Sequence, residues 1–339
     1  MSVGKPWWIA VAAALLAALL GLAEASAEGH GAPPVPTSYA PHRTPWGDPD
    51  FRGTWPLDHL AFLPLQRSPR SAGREFLTEE EYQARQKQIE RVMGDAEAAA
   101  RNNTLTGEYF LDRTGAGRRT AMLVDPPNGR LPELTEEGKR RNAAGRSTWI
   151  KGQAFDWVDD FDSWSRCITI GFPAAMLPLH HNNGIRVFQA PGYVVIELEM
   201  IHDARVIPIG ENAKAWPARV TSWMGDSRGR WEGATLVIET SNIRPGAAPI
   251  NMATIGAPPN NTIPMSDQAR VVERLTMTGP GSILYEMTYS DPVIWTAPFT
   301  VRLDWRRDDT YRLFEYACHE GNAVVRDNIL ASRAQRARR

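Results

Sequence analysis

The side chains suited to proton chemistry are the histidines, His30, His42, His59, His180, His181, His202 and His319. Two of them sit beside a carboxylate, His202 before Asp203 and His319 before Glu320, each where a β-like stretch ends. One imidazole oriented by a carboxylate is enough to move a proton near neutral pH. Neighbouring residues on a strand point to opposite faces, so the partner of His202 is expected from another strand end, Glu320 or Asp226, rather than from Asp203. The expected acid–base set is therefore His202, His319, Asp203, Asp226 and Glu320. Arg205 and Arg228 are suited to an anionic group on a substrate, and His181, Trp223 and Tyr285 to the rest of a binding surface.

Other chemistries fit less well. Gly225-Asp226-Ser227-Arg228-Gly229 matches the G-x-S-x-G pattern of a nucleophile elbow. That motif needs a strand-to-helix turn, whereas the residues after it read as a turn and a strand, so a polar hairpin turn is the expectation. His319-Glu320 does not extend to H-E-x-x-H, because position 323 is alanine. No standard metal-ligand spacing occurs, and no metal is assigned. Gly115-Ala116-Gly117 lacks the third glycine and the β-α setting of a dinucleotide fingerprint. Neither a Walker loop nor C-x-x-C is present, and no organic cofactor is expected.

The elements that must position these residues are mainly strands. Gly184 to Gln189 and Gly192 to Met200 read as a hairpin joined by Ala-Pro-Gly. Ala204–Ile209, Ala234–Thr240, Arg270–Met277, Ser282–Tyr289, Phe299–Trp305 and Tyr311–Cys318 continue a period-two pattern punctuated by Gly and Pro. Such a series predicts an antiparallel up-and-down barrel or a sandwich. Large side chains on both faces favour a barrel around a cavity. Ahead of it, Thr78 caps a predicted helix over about 78–100, with Glu81 completing a capping box and Glu79 and Glu80 opposing the helix dipole. Thr135-Glu136-Glu137 opens a shorter helix.

The N-terminus carries an address. Lys5, the uncharged apolar run Trp7–Leu22 and Ala25-Ser26-Ala27 fit a secretory signal peptide cleaved after Ala27. The layout is then a signal peptide over 1–27, a Pro/Gly-rich arm over 28–50, and a helical and irregular portion over 51–180. The barrel follows over 181–325, with a basic helix or tail over 326–339. The remaining chain is long enough for a sizeable core, and no later segment suits a membrane span. A net charge of −1 argues against a nucleic-acid binder. Two cysteines, Cys167 and Cys318, in an exported chain predict one disulfide. Closing a loop of about 150 residues would stabilise the fold by at most roughly 5 kcal/mol.

Three motifs carry a resemblance: Glu199-Met200-Ile201-His202-Asp203-Ala204-Arg205, Trp223-Met224-Gly225-Asp226-Ser227-Arg228-Gly229-Arg230-Trp231-Glu232-Gly233, and Glu315-Tyr316-Ala317-Cys318-His319-Glu320-Gly321-Asn322. Together they resemble a family of exported bacterial proteins over about residues 45–330. Gly53-Thr54-Trp55 is also similar to the G-x-W start of lipocalins. The resemblance implies export and a lipocalin/calycin-like barrel, and it carries over no catalytic residue. The expected protein is periplasmic or secreted and acts on a small apolar or amphipathic molecule by cofactor-free acid–base chemistry of lyase, hydratase, isomerase or hydrolase type. A non-catalytic carrier and a metal-dependent enzyme using the histidines are the alternatives.

Overall fold

The computed structural model describes residues 38–102, 117–145, 152–179, 181–245 and 265–338. The signal peptide, His30, His180 and most of the Gly115–Gly117 stretch lie outside them. Ten strands form two antiparallel sheets among the described residues. One sheet has the order β1 (Gly53–Thr54), β3 (Ile185–Ala190), β4 (Tyr193–Leu198), β5 (Ala204–Pro208). The other runs β2 (Leu123–Asp125), β10 (Phe299–Arg306), β9 (Ser282–Ser290), β8 (Arg270–Gly279), β7 (Thr235–Ser241), β6 (Asp226–Glu232). Chain order follows spatial order along most of both sheets, and two-residue connections turn β3 into β4, β6 into β7 and β8 into β9. Pro191-Gly192 joins β3 to β4 with Gly192 at φ 77°, a value that favours glycine.

The pairing register fixes one interior. Leu236 and Ile238 on β7 share a face with Val271 and Leu275 on β8, Tyr285 and Met287 on β9, and Leu303 and Trp305 on β10. These join Ile185, Val187, Ile196 and Ile207 of the smaller sheet in one hydrophobic core. Tyr285 stacks on Trp305 with ring centroids 4.8 Å apart. The space between the sheets is thus occupied by large side chains, and the expected barrel cavity gives way to a packed core.

Large residues appear on both faces of β9 and β10 for a different reason. The outward-facing Glu286 and Arg302 are themselves buried. Arg302 pairs with Glu286 (2.7 Å) and with Glu75 (3.3 Å), while Arg119 pairs with Glu75 and with Asp304 (2.7 Å). The N-terminal portion therefore covers the outer face of the sheet. Its helix α1 (Glu79–Arg101) starts as the capping box predicts, with the Thr78 N–H donating to Glu81 Oε2 (2.9 Å) and the Glu81 N–H to Thr78 Oγ1 (3.2 Å). Helix α2 (Glu136–Ala144) is capped by Thr135, whose Oγ1 accepts from the Gly138 N–H at 2.9 Å.

No closed barrel forms among the described residues. At the β5–β6 seam a single parallel bridge joins Ile209 to Gly229. A Cβ at Gly229 would lie 2.4 Å from Ile209 Cδ1, so a larger residue there would have to push the Ile209 side chain aside. At the opposite seam the Asp308 N–H donates to the Thr54 carbonyl (2.9 Å).

The expected last strand, Tyr311–Cys318, is absent: this segment is an irregular strap. Two of its backbone donors are taken by side chains rather than by a neighbouring strand. The Phe314 N–H donates to Glu199 Oε1 (3.0 Å) and the Tyr316 N–H to His202 Nε2 (2.9 Å). The predicted disulfide, Cys167–Cys318, ties the strap to the 163–171 segment. It fits an oxidising compartment. After the strap, helix α3 (Val324–Ala337) packs through Ser332 Oγ, which accepts from the Phe155 N–H at 3.0 Å. No described helix is long and apolar enough to cross a membrane.

Candidate functional site

Strand β4 turns into β5 through Glu199–Asp203, a corner closed by the Leu198 N–H donating to the Asp203 carbonyl (2.8 Å). Reversing the chain in so few residues puts two consecutive non-glycine residues in the left-handed region, Ile201 (φ 59°) and His202 (φ 55°). For a β-branched residue this conformation is strained, and such strain persists only where surroundings enforce it. Cys167 (φ 55°) and Asn182 (φ 53°), also left-handed, belong to the two segments that meet the same corner.

Glu199 is the enforcing group. It is buried, and its carboxylate accepts four donors: Tyr311 Oη–H (2.7 Å), Gly184 N–H (2.9 Å), Phe314 N–H (3.0 Å) and Asn182 Nδ2–H (3.1 Å). One side chain thereby joins the strap, the corner and the approach to β3. Gly184 is obligatory there, since a Cβ would sit 2.6 Å from Glu199 Oε2 and 2.8 Å from Tyr311 Cε1.

Two of the predicted histidines meet on this frame. His202 Nε2 accepts the Tyr316 N–H, which fixes the ring proton of neutral His202 on Nδ1 and occupies its lone pair. The His181 ring lies nearly parallel to that of the same Tyr316, with centroids 6.1 Å apart. Trp164 flanks His181 at 6.5 Å, and its Nε1–H donates to Tyr316 Oη (3.1 Å). His319 and Glu320 lie three and four residues further along the strap. Both are exposed, and the described contacts give their side chains no partner.

Asp203 is half-buried, and Thr169 Oγ1–H donates to its Oδ2 at 2.5 Å. Burial pushes this carboxyl up to about 6, against the opposing pull of the Thr169 hydrogen bond and the nearby His202. A carboxyl poised near neutrality can hold or release a proton under mild conditions. Thr169 Oγ1 also lies 3.7 Å from Met224 Sδ. Met224 lines a half-open cleft of about 450 Å³ together with Ala204, the residue after Asp203. Tyr193, Val206, Lys214, Trp216 and Asp226 contribute to its walls. The size suits a small ligand.

The other predicted residues are placed as follows. Asp226 is buried at the cleft, where its Oδ2 accepts the Trp216 N–H (2.9 Å) and lies 3.6 Å from Arg228 Nε. Arg205 reaches the cleft wall, but its guanidinium is committed inward to Glu273 (2.5 and 2.8 Å) and lies over the Phe172 ring at 4.2 Å. Its charge is thus neutralised within the protein. Tyr285 is a core residue whose hydroxyl donates to Glu273 Oε1 (2.8 Å); burial, reinforced by the Glu273 charge, raises its phenol well above the ordinary value. Trp223 lies under Arg244, 5.1 Å from guanidinium carbon to ring centroid.

Ser227 is buried in strand β6, not in a hairpin turn, and its Oγ shares hydrogen bonds with Thr240 Oγ1 (2.9 Å) and Arg205 Nη2 (3.1 Å). It is part of the core network and has no elbow geometry. Among the described residues no three His, Cys, Asp or Glu side chains gather as a metal would require.

Asn182, Glu199, Thr169, Trp164 and Tyr316 escaped the sequence reading. Glu199 and Tyr316 lie inside two of the three distinctive motifs, and Asn182 follows the His180-His181 pair. Their roles depend on a strap that docks without forming a strand, which no periodicity signals. No protein-family model matches the chain, and neither the curated proteins nor the solved structures contain a significant match.

Proposed function

We propose that this is an exported protein that binds a small, largely apolar molecule in the cleft beside β5 and acts on it by acid–base chemistry without an organic cofactor. The observation that carries the reading is Asp203. Its carboxyl is raised to about 6 by burial, steadied by Thr169, and set on a strained corner next to the cleft. Strained backbone and displaced pKa values both cluster at functional sites, and here they coincide. The reaction class is then a lyase, hydratase, isomerase or hydrolase step in which Asp203 gives or takes a proton. The disulfide and the Ala25-Ser26-Ala27 pattern support export. An acid–base role falls to His202 only if its bond to the Tyr316 N–H opens, because that bond uses the ring's lone pair.

The test starts from whatever molecule co-purifies, identified by mass spectrometry, and from a panel of small esters, lactones, hydroxy acids and enones assayed for turnover. Asp203→Asn is expected to lower kcat by on the order of 100-fold or more while leaving ligand affinity within a few-fold. Turnover that survives in Asp203→Asn would remove Asp203 from the chemistry. Binding without turnover anywhere in the panel would favour a carrier, which the open walls of the cleft also suit.

A further inference from the structure

We infer that His181 is the general base of this corner, held in one tautomer by a relay that runs from Glu199 through Asn182. The inference rests on the acid–base reading above and assigns the proton acceptor within it. Glu199 accepts four hydrogen bonds, and one of them comes from Asn182 Nδ2 (3.1 Å). Rotating that amide would set Asn182 Oδ1 against a carboxylate oxygen, so the amide orientation is fixed by charge. Oδ1 is then the atom that faces His181 Nδ1 at 2.7 Å. Since Oδ1 only accepts, Nδ1 carries the ring proton and the lone pair of the neutral imidazole lies on Nε2.

The ring is held by more than this bond. Tyr316 lies nearly parallel to it (11° between planes), Trp164 flanks it, and the indole N–H to phenol bond ties the two flanking rings together. Asn182 sits in the left-handed region, which asparagine tolerates better than most residues. That conformation lets its side chain bridge the preceding histidine and the corner. Among the described residues no group meets His181 Nε2, and the side chain is half-buried.

His202 has its proton on the same nitrogen, but its lone pair is spent on the Tyr316 N–H. Of the two imidazoles on this frame, His181 is therefore the one with a base to offer. In the step, the N–H bond at Nε2 forms as a substrate C–H or O–H bond breaks, and the electron pair stays on the substrate. The imidazolium is stabilised through Asn182 by the Glu199 charge, which makes Asn182 and Glu199 positioning residues. The neighbouring indole and phenol rings favour a substrate with an apolar or aromatic body next to the acidic hydrogen.

The relay is tested without knowing the substrate. Two-bond imidazole ¹H–¹⁵N correlation spectra of the disulfide-bonded chain at mildly alkaline pH are expected to show His181 protonated at Nδ1 alone. Asn182→Ala and Glu199→Gln should each give a mixture of tautomers, with the backbone spectrum confirming a folded protein. Diethyl pyrocarbonate acylates a free imidazole nitrogen, and peptide mapping is expected to find His181 modified several-fold faster than His202. A ring protonated at Nε2, or acylation of His202 ahead of His181, overturns the relay and leaves the Asp203 assignment standing. Once a substrate is found, His181→Gln should lower kcat by on the order of 100-fold or more with little change in KM. Undiminished turnover in that variant overturns the base assignment. Absence of turnover in the wild type instead removes the acid–base reading on which it rests.

Discussion

Two polar networks in this molecule are built from the same kinds of residue and do opposite things. In the core, Arg205 and Glu273 form a fully buried ion pair, with Ser227, Thr240 and Tyr285 adding hydrogen bonds. Ordinary strand backbone carries them all. At the β4–β5 corner, Glu199 also collects its donors, but the surrounding backbone is left-handed at Asn182, Ile201 and His202. One carboxyl there is displaced towards neutrality, and one imidazole keeps a lone pair that no described residue meets. The first network rigidifies a core. The second holds reactive groups in a conformation the chain would not otherwise choose. Buried charge alone is therefore a poor guide to a functional site; satisfied charge next to strain and an open valence is a better one.

The core network depends most on Glu273. Glu273→Gln leaves Arg205 as a buried cation with no counter-charge, and loss of one partner of such a pair costs about 3–5 kcal/mol. A large fall in the denaturation midpoint is expected. The double variant Arg205→Met/Glu273→Leu should recover much of it, because no charge is left stranded. Neither change should alter the His181 tautomer, provided the spectra are recorded where the variant is still folded. A small loss in Glu273→Gln, or no recovery in the double variant, would show that the core pair is not the structural device described here.

How far the sequence foretold all this differs between the two networks. The strand series, both helix caps and the Cys167–Cys318 bond were legible because period-two alternation, capping boxes and cysteine parity are local signals. His202, Asp203 and His181 were singled out for the same reason: a titratable side chain at a strand end is visible one residue at a time. Tyr285 and Arg205 were misplaced as ligand contacts because alternation does not say whether the space between two sheets is open or packed. Here the two side chains meet at Glu273 inside the core. The strap read as a strand because Tyr311, Leu313 and their neighbours alternate. Only the position of Glu199 and His202 shows that side chains take two of its backbone donors.

Asp203 makes the corner, unlike the core network, sensitive to pH. Its folded carboxyl is raised from the ordinary 3.8 to about 6, so the folded state holds the proton more tightly than the unfolded chain. Stability then declines as pH rises from about 4 through about 6 and stays lower above that window. Asparagine does not titrate and can still accept the Thr169 hydroxyl. Asp203→Asn should match the wild type near pH 4 and exceed it above pH 6. The gain should be on the order of 1–2 kcal/mol, allowing for solvent screening of a partly exposed group. Urea denaturation at the two pH values measures this directly. A variant that is more stable yet inactive would mark Asp203 as a residue kept for function at the expense of stability, whereas one destabilised at both pH values would make it structural.

The smallest effect expected is at the end of the strap. His319 and Glu320 have the composition of an acid–base pair, and on residue type alone they rank with His202 and Asp203. Their surroundings differ in each respect that matters. Both are exposed, and neither side chain has a described partner. Their turn is positioned by the neighbouring Cys318 disulfide and by Asn322, whose Nδ2–H donates to the Ser165 carbonyl at 3.1 Å. These anchors leave the two side chains in water. His319→Ala and Glu320→Ala should therefore each change stability by no more than about 0.5 kcal/mol. Ligand affinity, turnover and the His181 tautomer should stay unchanged. If either substitution abolished turnover, the site would extend along the strap into solvent, and position at the strained corner would no longer separate working residues from bystanders of the same type.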